Sequence, residues 1–131
     1  MFEKEYSTPE SRKLEFKETL PSGDKIERTA VAFSNDAGGD IYIGIKNDPR
    51  EVTGIPENEL IKLEEQISNI IYDNCNPTIL PDILVQKVED KYIIVVKIPR
   101  GSLPPYYINH LVKKMEHLFV SAHQIGLQTE K

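Results

Sequence analysis

Residues 26–45 read IERTAVAFSND-AGGD-IYIGI, and the reading of this stretch decides the fold. Ile26, Ala30 and Phe33 recur at three- and four-residue steps, the spacing of one apolar helical face. Asn35-Asp36 closes that helix, because Gly38-Gly39 supplies the backbone freedom that a sharp reversal needs. Ile41, Tyr42, Ile43 and Ile45 are β-branched or aromatic and suit a buried strand. Gly44 within it marks a place where a second backbone or a ligand approaches closely. Helix, glycine turn and central strand leave a row of backbone N–H groups at the turn, a concavity of the kind that binds anions.

Outward from this centre, residues 10–17 (ESRKLEFK) alternate, with Leu14 and Phe16 on one side and Glu15 and Lys17 on the other. That is a strand with one face in water. Pro21-Ser-Gly-Asp24 is a turn in which Ser22 or Asp24 can cap the helix. Asp48-Pro49-Arg50 is expected to end the central strand, since proline donates nothing to a ladder. Pro56 opens a second helix, whose Leu60, Leu63, Ile67, Ile70 and Ile71 face a sheet, and Asn74-Cys75-Asn76-Pro77 stops it. Ile83, Val85 and Val88 form a strand that turns at Glu89-Asp90 into the interior strand Tyr92–Val96. Prolines 99, 104 and 105 then stiffen a loop before Tyr106-Tyr107. The order predicts an α+β fold, a mixed β-sheet packed against two main helices.

The chain has 131 residues, a length that makes one domain with a single core. Its net charge of −5 gives no global attraction to a phosphate backbone, so any nucleic-acid binding must come from a local basic patch or from bridging metal ions. The single cysteine, Cys75, excludes an internal disulfide and reads as a small buried residue. The polar, acidic start MFEKEYSTPE is no signal peptide, and no apolar run reaches spanning length, so a cytoplasmic protein without a membrane partner is expected. His110, His117 and His123 have no metal-site spacing.

Several spaced segments agree with one pattern: ESRKLEFK at 10–17, AVAFSNDAGGDIYIGIKND at 30–48 with VTGI after it, NPTILP at 76–81, and YIIVVKIPRGSLPPYY at 92–107. Together, over about residues 10–107, they resemble the Schlafen/AlbA-like DNA-binding domain. The resemblance implies a DNA-binding or transcription-regulating module whose partner is DNA or RNA. Schlafen relatives that cleave RNA use three carboxylates, two from the ESxxxEFK motif and one from the loop after the central strand. These positions fall here on Glu10, Glu15 and, across a shorter connection, Asp48. Together they would hold Mg or Mn if the chain were a nuclease, and no cofactor is expected otherwise. Converging hard oxygen ligands are what metal-assisted phosphodiester hydrolysis needs. Binding without cleavage is the preferred reading, with a metal-dependent endoribonuclease and a protein–protein or oligomerisation module as alternatives. Relatives have been described as divergent ATPases, but no GxxxxGK[ST] loop is present and ATP is not assigned.

Candidate phosphate contacts are Arg12 and Lys17 on the first strand, Arg28 on the helix, and Asn35, Gly38 and Gly39 at the turn. Arg100 joins them from the loop before Tyr106. Tyr106 and Tyr107 are candidates for base stacking or for packing at the core edge. Residues 108–131 depart from the family, which continues with a Tyr-x-Arg-x-Gly-Ser-like strand where this chain has HLFVSAHQIGLQTEK. A one-base shift of codons for His123–Gln128 can encode a Ser-Asn-Arg-Leu-Ala-like run, so residues from about 118 onward are expected to be an out-of-frame tail, which the coding DNA would test. Leu111, Met115, Leu118 and Ala122 in this tail have helical spacing. Loss of the family strand would uncover Tyr92–Val96 or its neighbour and favour a homodimer.

Overall fold

The computed structural model of the chain describes residues 14–109. Glu10, Arg12 and the tail beyond Asn109, with its helical and out-of-frame readings, lie outside the described residues. Strand β1 (Leu14–Lys17) is followed by helix α1 (Lys25–Ser34) and strand β2 (Gly39–Ile43). β1 and β2 pair in parallel, Phe16 opposite Tyr42, and a parallel pair requires a crossover, which α1 supplies. Strands β6 (Asp82–Val88) and β7 (Lys91–Ile98) form a hairpin whose turn residues Glu89 and Asp90 have φ of 53° and 64°. Two left-handed residues give the turn the twist that flanking strands share. The sheet order is β1-β2-β7-β6, so the run Tyr92–Val96 is interior, as its apolar composition predicts, and β6 is an edge of the described sheet.

One face of the sheet packs on the helices. Ile26, Ala30 and Phe33 of α1, together with Ile67 and Ile71 of helix α2 (Leu60–Asn74), meet Ile41, Ile43, Ile94, Val96 and Ile98. Alternation along the strands sends Phe16, Tyr42, Ile93 and Val95 to the opposite face, where they form a second buried cluster with Ile45, Val52 and Val88.

That second cluster corrects the reading of Asp48-Pro49 as the end of the central strand. The strand breaks earlier, at Gly44, whose φ is +110°. The Gly44 carbonyl accepts the N–H groups of Thr53 and Gly54 at 2.9 and 2.8 Å. Asp48-Pro49 instead turns a short hairpin of β3 (Ile45–Lys46) and β4 (Glu51–Val52), which folds Ile45 and Val52 over the second cluster. Asp24 occupies the cap position of α1, yet its carboxylate accepts from Arg28 Nε at 2.9 Å and makes no capping hydrogen bond.

Helix α2 ends in β5 (Cys75–Asn76), which pairs antiparallel with β8 (Tyr107–Ile108). Cys75 is buried, and burial, aided by the negative field of Glu27, pushes its thiol up to about 11. A thiol held protonated by the fold contributes stability that is complete below the unfolded thiol's pKa and is lost as pH rises toward the folded value. Cys75 is therefore expected to stay silent toward a thiol reagent near neutral pH, while the denatured chain reacts fully. Thermal stability should fall between about pH 9 and pH 11 by more in the native chain than in Cys75→Ala.

Gly38 has φ of +86°, and a Cβ there would lie 2.8 Å from the Ile98 carbonyl oxygen and 2.9 Å from the Arg100 nitrogen. Both neighbours are backbone atoms, with no flexible side chain to yield. Gly38→Ala is expected to cost more than the roughly 1–2 kcal/mol of a left-handed conformation alone, read as a lower denaturation midpoint.

Candidate functional site

The glycine turn and the loop after β7 build one site. Asn35 N–H donates to Val31 O at 3.0 Å, and Asp36 and Gly38 N–H both donate to Phe33 O, at 3.0 and 2.8 Å. The five-residue step from Gly38 to Phe33 closes the helix end. The Gly38 N–H, one of the groups expected to face an anion, is thereby used within the helix cap. Gly39 begins β2 opposite Ile98. Its neighbour's missing side chain is what lets the turn rest on the end of β7.

The loop from Pro99 to Tyr106 is fastened to this helix end at several points. Buried Ser34 donates its hydroxyl to Pro99 O at 3.0 Å, and Gly101 N–H donates to Ser34 O at 2.8 Å. Asn35 acts as a two-point clamp: its Nδ2 donates to Tyr106 O at 3.0 Å, and its Oδ1 accepts from Tyr106 N–H at 2.7 Å. The Tyr106 ring covers Gly101, so that a Cβ on Gly101 would fall within the ring, and its hydroxyl accepts from Leu103 N–H at 3.2 Å. Tyr106 is thus a buried packing residue, whereas Tyr107 is partly exposed on β8.

Between the helix end and the loop opens a cleft of about 700 Å³, walled by residues 34–37 on one side and by Arg100, Gly101, Ser102 and Pro104 on the other. Asn35 and Arg100, both predicted contacts, share it. Ser34, Asp36, Ala37, Ser102 and Pro104 were not among the predicted contacts, although Asp36 was read as part of the helix stop and Pro104 as part of the stiffened loop. Their signal is only that the loop must return to a helix end, which no local pattern encodes.

Several other cations lie beside carboxylates or over a ring. Lys17 Nζ lies 3.0 Å from the Glu15 carboxylate, Arg28 is bound to Asp24, and Lys97 lies 3.5 Å from Asp40. The Asp24 hydrogen bond and charge raise the already high Arg28 pKa further. Arg50 lies over the Phe16 ring, 3.8 Å from its centroid, and donates to Asn47 Oδ1. Arg100 is exposed and, among the described residues, carries no ion pair.

Of the three candidate carboxylates, Glu10 lies outside the described residues. Glu15 sits half-buried on β1, on the sheet face away from Phe16, and Asp48 is exposed at the tip of the β3–β4 hairpin. Among the described residues, no three His, Cys, Asp or Glu side chains are grouped to hold a metal ion, and no helix is long and apolar enough to cross a membrane.

Comparison with known proteins places the chain among relatives. The family model described as Schlafen, AlbA_2 matches residues 10–122. An uncharacterized ATP-binding protein of Ureaplasma parvum serovar 3 is 32% identical over 73 residues, which are 53% of this chain and 21% of that protein. The chain thus spans about a fifth of that relative's length. A solved domain, the N-terminal domain of a Nitrosomonas europaea protein related to the ATP-dependent DNA helicase RecG, superposes with a TM-score of 0.67. It is 22% identical, over 81% of this chain and 76% of that one, a likeness that shows the shared fold.

The clamp makes Asn35 the residue on which the cleft wall depends. Asn35→Ala leaves the backbone N–H and C=O of buried Tyr106 without this partner, an expected loss of about 1–3 kcal/mol. Asn35→Asp keeps the acceptor for Tyr106 N–H, sets a carboxylate against Tyr106 O, and should rank between the two in a denaturation series. Limited proteolysis should cut the loop at residues 99–105 faster in both variants.

Proposed function

The chain belongs to the Schlafen, AlbA_2 family, and from that premise and the cleft beside Arg100 we propose that it is a nucleic-acid-binding module. In its finer form the proposal is a DNA-binding part of a transcriptional regulator. The observation that carries it is the position of Arg100 at the cleft wall, on the loop held against the end of α1. In a chain of net charge −5, attraction to phosphate has to be local, and Lys17, Arg28 and Lys97 are already neutralised by neighbouring carboxylates. Arg100 projects from a loop fixed by backbone hydrogen bonds, next to the Gly101 and Ser102 backbone, at the wall of a cleft. A guanidinium presents a planar fork of donors that matches phosphate oxygens, and a rigid mount reduces the entropy lost on binding.

Retention on labelled DNA or RNA should fall steeply with salt, because each phosphate contact releases counterions. Arg100→Ala is expected to weaken binding across sequences and to lower the salt slope by about 1, the loss of one phosphate contact. Lys87→Ala, on the far edge strand, should leave both unchanged. A divalent-metal arm in the same assay follows cleavage. A protein that retains neither DNA nor RNA at low salt would refute the proposal.

A further inference from the structure

We propose that β6 is a self-association edge, where two copies of the chain pair their β6 strands antiparallel about Leu84 and join their sheets into one. The inference goes beyond the nucleic-acid reading and does not depend on it. Three features of the strand and its surroundings lead to it.

The first is an open ladder. β6 pairs with β7 without a bulge from Asp82, opposite Lys97, to Val88, opposite Lys91, and its other side meets no strand among the described residues. The left-handed pair Glu89-Asp90 makes a two-residue turn, whose flanking residues form a hydrogen-bonded pair. Such pairs alternate along an antiparallel ladder. The backbone groups of Val88, Gln86, Leu84 and Asp82 therefore face β7, and those of Ile83, Val85 and Lys87 turn outward. Edge strands are commonly blunted by a charge, a proline or a bulge, and Ile83-Leu84-Val85-Gln86 has none of these.

The second is self-complementarity. In an antiparallel pair, opposite residues point to the same face of the sheet, so a two-fold pairing of identical strands is centred on a residue. About Leu84, every pair is matched. Ile83 meets the partner's Val85, Leu84 meets its own copy, and Asp82 accepts from the amide of the partner's Gln86. The neighbouring centres match poorly. About Val85, Ile83 faces the partner's Lys87 and Asp82 faces the partner's Val88; about Ile83, Asp82 faces the partner's Leu84.

The third is charge. Between β6 and α2 opens a recess of about 420 Å³, lined by Ile61, Glu64, Glu65, Ser68, Pro81 and Ile83, with two carboxylates and no cation. The Leu84 register sets the partner's Lys87 opposite Pro81, at this recess, and the two-fold axis repeats the contact in the other copy. Within its own chain Lys87 has only the Tyr92 ring, 6.0 Å away, at the outer limit of a cation–π contact. Exposed Val85 is covered by the same pairing.

The test is sedimentation velocity of the full chain over a concentration series, with circular dichroism to follow folding. One strand pair makes a small interface, so a reversible monomer–dimer equilibrium is expected. Val85→Pro removes an outward N–H that the native ladder does not use, and should leave monomer wherever the native chain dimerises. Lys87→Glu sets like charges at both recesses and should raise the dissociation constant about tenfold or more. Adding Glu64→Lys and Glu65→Lys to it should restore the dimer. A native chain that stays monomeric throughout would overturn the inference, as would a dimer indifferent to both Val85→Pro and Lys87→Glu, which would use another surface. Should Val85→Pro fail to fold, Lys87→Glu and its charge-swapped rescue decide alone. Arg100 takes no part in this interface, so each of these outcomes leaves the nucleic-acid reading standing. In the oligonucleotide assay, run on chain dilute enough to be monomeric, Lys87→Ala remains the unaffected control.

Discussion

A single steric constraint organises this molecule: the backbone at Gly38 lies against the backbone at the end of β7. With φ of +86° and no room for a Cβ beside Ile98 O and Arg100 N, the position admits glycine and little else. Because Gly38 also closes α1 on Phe33 O, the helix end is carried directly onto the strand end. Gly39 enters the sheet opposite Ile98, which fixes the register of β2 against β7. Arg100 follows two residues after Ile98, so the same contact determines where the loop leaves the sheet. The cleft is a consequence of this seating. Helix cap, strand register and loop position are three readings of one close approach.

Around that frame three cations are paired with carboxylates of the protein. Partly exposed pairs such as Lys17–Glu15 and Lys97–Asp40 add little to stability, roughly 0–1 kcal/mol each. Their larger effect is on what the surface offers a ligand. A lysine beside a carboxylate presents a dipole to an approaching phosphate and not a net charge. In an acidic chain this makes the position of an uncommitted arginine more informative than the count of basic residues. Of the basic residues picked out from sequence, Lys17 and Arg28 each lie beside a carboxylate, and Arg100 lies at the cleft wall. Sequence lists charges, and only the fold pairs them.

Much of the architecture was legible because it follows local periodicity. The helical spacing of Ile26, Ala30 and Phe33, the alternation of Leu14 and Phe16, and the apolar run Tyr92–Val96 each declared an element, and all three occur as read. Elements without periodicity were not legible. β3 and β4 have two residues each, too few to show an alternation, so Asp48-Pro49 looked like a strand end when it is a hairpin tip. The break at Gly44 was visible as a glycine but not as a break. The pairing of β5 with β8 and the Asn35–Tyr106 clamp join residues far apart in sequence, 71 positions in the second case. Asparagine before a glycine turn looks like a helix stop, which it is, and nothing local shows that its side chain also serves a distant peptide.

That clamp reaches further than the cleft. An asparagine amide that donates to a carbonyl and accepts from the N–H of the same residue imitates the edge of a β-strand, so the end of α1 behaves as a sheet partner for Tyr106. The next residues, Tyr107 and Ile108, continue the pattern by pairing with Asn76 and Cys75 at the end of α2. Asn109 then donates to Asp73 O, and Asn74 donates to Glu27 near the start of α1. The connections form a closed circuit: one end of α1, the loop, β8, the end of α2, and back to the other end of α1. A circuit of this kind resists opening at any one link, because displacing Tyr106 strains the β5–β8 pairing as well as the clamp. The loop bearing Arg100 is therefore held on one side by the sheet and on the other by the two helix ends. Its cleft is part of the packed structure, with its walls set before any ligand arrives.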